Sequence, residues 1–217
     1  MSHELFALLA ESFEQTLVMV GVALAISSAA GIPLGVILHA TAPRQLLPNA
    51  AIYRVLGAIV NATRSTPFII LMVALIPLTR AIVGTSIGTP AAIVPLTIAA
   101  TPFIARIVEA ALRDVDQGLV EAAQAMGATP FQIVAKVLLP EALPAVVAGL
   151  TLAAVAMIGY SAMAGAVGGG GLGDLAIRYG YERFRVDVMA ATVAILIALV
   201  QLVQSGGDIL VRRIRHA

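Results

Sequence analysis

No cysteine occurs in the chain, which excludes disulfide staples, cysteine-based metal sites and thiol chemistry. Charge is scarce too: 12% of the 217 residues are Asp, Glu, Lys or Arg, while 60% are hydrophobic. Soluble domains carry about twice that share of charge, so a chain this apolar does not fold alone in water. The 13 basic and 12 acidic residues leave a formal charge of +1, with no acidic tail and no bulk attraction to nucleic acid. The three histidines, His3, His39 and His216, lie too far apart in sequence to suggest a metal site.

Lysine is almost missing. The single one, Lys136, follows Ala135, whereas a Walker A loop needs lysine directly after glycine to reach the phosphates. The glycine-rich run Gly165 to Gly173 (GAVGGGGLG) is therefore not such a loop, and no ATP hydrolysis is expected on this chain. It is no dinucleotide fingerprint either, because nothing around it predicts a strand-turn-helix unit. It reads as a flexible or closely packed turn where a membrane span ends. Asp, Glu and His are missing from mid-membrane positions apart from His39 near a span's end, so neither a proton-coupled transporter nor an intramembrane protease fits. Energy for any transport must come from elsewhere.

What is present is a series of long apolar segments. A spanning helix needs roughly 20 such residues. Stretches free of formal charge predict spans at about 15–41, 86–106, 142–167 and 188–207, and a fifth at about 55–79 is interrupted only by Arg64. The expectation is an all-α membrane protein with a single transmembrane domain over 1–217 and five transmembrane helices. The N-terminal flank carries Glu4, Glu11 and Glu14 and no Lys or Arg, unlike a secretory signal. Basic residues favour the cytoplasmic side. With the N-terminus outside and the C-terminus inside, that side holds Arg44, Arg54, Arg106, Arg113, Lys136, Arg212, Arg213 and Arg215, against Arg80, Arg178, Arg183 and Arg185 outside.

The longest polar stretch, at 106–141, then lies in the cytoplasm. Asp116 is a candidate N-cap, and Leu119, Val120, Ala123 and Met126 share one helix face. Gly127 stands where a left-handed C-terminal cap is wanted. Thr129 and Gln132 have capping-box spacing, with Pro130 at the first helical position. The pattern predicts two short helices, the second running toward Pro140, each too short to cross a bilayer. Small Ala122 and Ala123 allow close approach by a partner, and Glu121 either pairs with a basic residue there or is a solvated helix charge.

Glu121-Ala122-Ala123, then Gly127 after three residues, then Val137-Leu138-Leu139-Pro140 after nine more, resembles the EAA loop of ABC importer permeases, with valine for the usual isoleucine. The resemblance implies a type I importer permease whose loop, about 115–140, docks a separate ATPase subunit. ATP and magnesium would then reside on that partner, leaving no cofactor on this chain. The coupling residues it implies are Glu121, Ala122, Ala123, Gly127, Leu139 and Pro140.

The segments Gly57 to Phe68, Ile76 to Pro95, Ala105 to Glu109 and Gly159 to Gly173 are similar to the methionine importer permeases. With the loop they cover most of the chain from residue 57 onward. That resemblance implies a homodimer in the bacterial inner membrane with two ATPase subunits and a methionine-binding lipoprotein or periplasmic protein outside. The cargo would be methionine, of L or D configuration, or a close derivative. A permease for another small amino acid or amphiphile is the alternative within the class, and a channel or structural scaffold the alternatives outside it. Tyr160, Ser161 and Met163 resemble the family's gate region. The bland alternative makes Met163 core filling and bonds Ser161 to its own helix. Arg64 has two readings, a group facing a cavity or substrate carboxylate and a side chain reaching a nearby cytoplasmic surface. Pro67 makes a bend beside it, and Pro95 and Pro102 are candidate kinks.

Overall fold

The computed structural model describes residues 3–215; the side chains of His3 and Glu4 and all of His216 lie outside that description. Four unbroken apolar helices are long enough to cross a membrane. The first, α1 (His3–Thr41), is longer than the expected span and continues through Pro33. The others are α5 (Thr89–Arg113), α8 (Leu139–Gly165) and α10 (Val186–Arg215). Helix α5 continues through both Pro95 and Pro102.

The remaining crossing is not one helix. α2 (Ala50–Ser65) and α3 (Phe68–Ala74) meet at a bend of 105°, and α4 (Ile76–Val83) follows. Pro67 has no N–H to give the ladder and forces the preceding Thr66 out of helical geometry, to φ −86 and ψ 125. The Ser65 and Thr66 hydroxyls donate to the carbonyls of Asn61 and Ala62 at 2.8 and 3.1 Å, so the broken end keeps its polar groups bonded.

Close helix approach places the core. Gly31 and Gly35 of α1 lie against α5; an added Cβ would stand 2.8 Å from the Thr101 carbonyl and 2.6 Å from that of Ala105. Small residues four apart are the usual means of such contact between membrane helices. One buried cluster joins Met19 and Ala23 of α1, Phe68 and Met72 of α3, Leu96 and Ala100 of α5, and Met157 and Ile158 of α8. A second joins the far end of α5, through Ile104, Val108 and Leu112, to the connecting loop and the start of α8.

The glycine run is closely packed. Gly168, Gly170 and Gly171 take positive φ of 84, 79 and 80°, turning the chain from α8 into the short α9 (Gly171–Leu175). Gly165 lies against the backbone of Gly173 and Asp174, and Gly173 against that of Ala162, so closely that a Cβ on either glycine would overlap main-chain atoms. A π-helical turn (Ala176–Tyr181) leads on toward α10.

A capped coupling loop and a broken crossing as the candidate functional site

Between α5 and α8 the loop forms α6 (Gln117–Ala125) and α7 (Pro130–Ile133). The Asp116 side chain accepts from the Gly118 N–H at 2.8 Å. At the other end Gly127 adopts φ 80°. The Ala128 and Gly127 N–H groups bond the carbonyls of Ala123 at 3.1 Å and Gln124 at 2.9 Å, the double bond of a Schellman cap. Thr129 and Gln132 close the capping box reciprocally, at 2.9 and 3.4 Å.

Two expectations about this loop need correction. The second helix, expected to run toward Pro140 as a separate short arm, does not end there. A π-helical turn (Val134–Leu138) follows α7, and the Leu139 N–H reaches back five residues to the Val134 carbonyl. That wider turn accommodates Pro140, so α7 is continuous with the α8 crossing in one apolar stretch from Pro130 to Gly165. No break in the helix separates α7 from α8. The faces of α6 also differ: Val120 and Ala123 are buried against Ile133, Leu138 and Val115, while Leu119 is exposed and Met126 is 82% exposed. Ala123 therefore faces this chain's own core, leaving Ala122 as the small residue open to a partner, beside exposed Glu121. Leu139 is partly buried and Pro140 exposed. Phe131, which the sequence reading passed over, is 80% exposed in the first turn of α7. An apolar residue in the first turn of a capped helix, beside Pro130, is the signal that marked it.

Sequence reading also missed a buried ionic cluster just above the loop. Glu109 is 1% exposed and accepts from Arg113 at 2.8 Å, from Tyr53 of α2 at 3.4 Å, and from Arg106. Arg106 continues to Asn61 at 2.9 Å and to the Gly57 carbonyl at 3.3 Å, tying α5 to α2. His39 is buried in the last turn of α1. The spacing of Arg106, Glu109 and Arg113 puts all three on one helix face, which is visible in the sequence. Among the described residues no group of three His, Cys, Asp or Glu side chains is placed to hold a metal ion.

The gate candidates occupy the last turns of α8. Ser161 is buried and donates to the Ile158 carbonyl at 2.8 Å, so its proton is used within its own helix. Met163 is 44% exposed and is not core filling of this chain. It shares an uncovered face with Leu152 and Gly159. Tyr160 stacks on Phe68 of α3, with centroids 4.8 Å apart and planes at 12°. Arg64 sits in the last turn of α2, about 21 Å along that helix from Ala50 at 1.5 Å per residue. Its guanidinium lies 6.0 Å from the centre of the Phe103 ring. The break brings Arg64 and Tyr160 to one cavity, while Ser161 and Met163 are not among its lining residues.

Residues 31–216 match the family model of the binding-protein-dependent transport system inner membrane component. The chain belongs to that family. A probable D-methionine transport system permease of Vibrio cholerae is 62% identical over 202 residues, covering 93% of this chain and 90% of the relative. The D-methionine transport system permease of Escherichia coli K12 is 54% identical over 165 residues, 76% of each chain. Among solved structures, an inward-facing MetNI methionine ABC transporter aligns with a TM-score of 0.97 and 52% identity, covering 99% of both chains. An amino acid ABC transporter with histidines, at 21% identity and a TM-score of 0.80, shares the fold. The chain is thus a transport permease of the type I ABC importer fold rather than an enzyme, as the EAA-loop resemblance implied.

Proposed function

We propose that this chain forms the membrane pathway of an ATP-driven methionine importer, as two copies joined to two ATPase subunits and served by a methionine-binding lipoprotein or periplasmic protein on the outer face. The observation that carries the transport reading is the capped hook whose second arm is continuous with α8: Glu121, Ala122, Met126 and Phe131 are open to a partner, and α6 is joined to that arm by a short capped turn. Whole-length likeness to proteins named for methionine transport supports the cargo. The N-terminus lies outside and the C-terminus inside, an orientation supported by the basic residues around the loop. ATP and magnesium belong to the ATPase partner.

The open face of α8 around Gly159 and Met163 receives the second copy, and Met163 from each subunit closes the pathway. A thioether gate is apolar and pliable, and a hydrated solute crosses it only by shedding water. In reconstituted vesicles Met163→Ala raises passive leak of small solutes without ATP, and Met163→Cys crosslinks between subunits. Absence of both effects removes Met163 from the pathway. The cargo reading is tested by ATP-dependent methionine uptake into proteoliposomes holding the permease, its ATPase and the binding protein. Uptake of a different amino acid in preference to methionine refutes it.

A further inference from the structure

The broken crossing holds a cavity of about 190 Å³ whose walls include Thr63, Arg64, Thr66, Phe68, Phe103 and Tyr160. Arg64 is the one charge among its lining residues. The ion pairs found among the described residues do not include it. An arginine facing aromatic rings with no counter-ion among the described residues keeps its planar fork free, and that fork matches a carboxylate in bidentate fashion. The neighbouring Thr63 and Thr66 hydroxyls donate to the Ile59 and Ala62 carbonyls at 3.0 and 3.1 Å, which leaves their oxygen lone pairs as acceptors. They sit at the C-terminal end of α2, where the helix dipole favours a cation. Beyond this polar rim the stacked Phe68 and Tyr160 rings and Phe103 supply apolar surface. One short helix end therefore offers a cation, acceptors for a cation, and aromatic faces.

We infer that this cavity is a transit site for a zwitterionic α-amino acid with an apolar side chain. Arg64 pairs with the carboxylate, the Thr63 and Thr66 oxygens accept from the ammonium group, and the aromatic rings take the side chain, where a thioether makes favourable sulfur–ring contacts. This rests on the amino-acid importer reading above.

The test is photolabelling of the intact permease–ATPase complex with photo-methionine, the diazirine analogue that keeps the zwitterion. Adducts are expected within residues 63–71, at 99–103 and at Tyr160. Excess methionine protects these positions, whereas 3-(methylthio)propylamine, which lacks the carboxylate, does not. Arg64→Gln lowers labelling there at least about tenfold, the scale of one charge-assisted hydrogen bond, and Arg64→Lys restores part of it. Adducts confined to other segments, equal protection by the amine, or wild-type labelling of Arg64→Gln would each overturn the site. Should Arg64→Gln fail to assemble, the adduct map and the amine competition on wild-type complex still decide. Methionine import by a wild-type complex with an unlabelled cavity refutes the site alone, and absence of methionine import refutes the importer reading.

Discussion

At the coupling-loop end of the bundle, neighbouring helices are tied by long charged side chains: Arg106 reaches from α5 to Asn61 and the Gly57 carbonyl of α2, and Tyr53 reaches back to Glu109. At the opposite end main-chain groups carry the tie, meeting either other main chain or short polar side chains of α1. The Gly88 N–H bonds the Gly168 carbonyl at 2.8 Å, Gln15 and Thr16 of α1 accept from the Gly171 and Leu172 N–H groups at 2.8 and 2.9 Å, and Gly165 abuts Gly173. An arginine keeps its carboxylate through shifts of an ångström or so by changing rotamer, whereas the close main-chain contacts at Gly88 and Gly165 are lost by the same shift. The difference teaches that the loop end tolerates small shifts between its helices, whereas the glycine end depends on close main-chain approach.

Breaking the ionic tie has the largest expected effect. Glu109→Ala leaves partly exposed Arg106 and half-exposed Arg113 without their buried carboxylate and lowers stability by roughly 2–3 kcal/mol, read as an early thermal transition of the detergent-solubilised complex. A transition unchanged from wild type would remove the ionic cluster from the comparison. Crowding the glycine end comes next: Gly173→Val drives a side chain into the Ala162 backbone and costs about 1–3 kcal/mol, with transport falling in step with stability. The smallest stability effect belongs to Gly127→Ala, which places a Cβ at φ 80° and costs about 1 kcal/mol. Its transport loss exceeds its stability loss because the cap aims the hook. Proportionate losses would make Gly127 merely structural.

The caps of the hook were legible in the sequence because each is local: Asp116, Gly127 and the Thr129–Gln132 pair signal through neighbours two to five residues away. The fate of Ala123 was not, because α6 has only 9 residues and its inner face is set by Ile133 and Leu138, which pack on it in three dimensions. Pro140 announced a stop that the π-helical turn cancels, and a π turn leaves no simple residue pattern. Pro67 announced a bend without its angle of 105°, and hence without the cavity that joins Arg64 to Tyr160. Tyr53 and Glu109, 56 positions apart, meet only through the packing of α2 on α5.

The central claim is that the exposed face of the capped hook receives the ATPase and passes its motion to α8. Its most direct test combines Glu121→Lys with Phe131→Glu, both on exposed side chains, and measures ATPase co-purification and ATP-driven methionine uptake beside membrane insertion. Substituting exposed residues typically changes stability by about 0.5 kcal/mol or less, so the permease is expected to insert and stay folded. The account predicts that the ATPase is lost from the purified complex and that uptake falls to background. Wild-type ATPase stoichiometry together with wild-type uptake would contradict it.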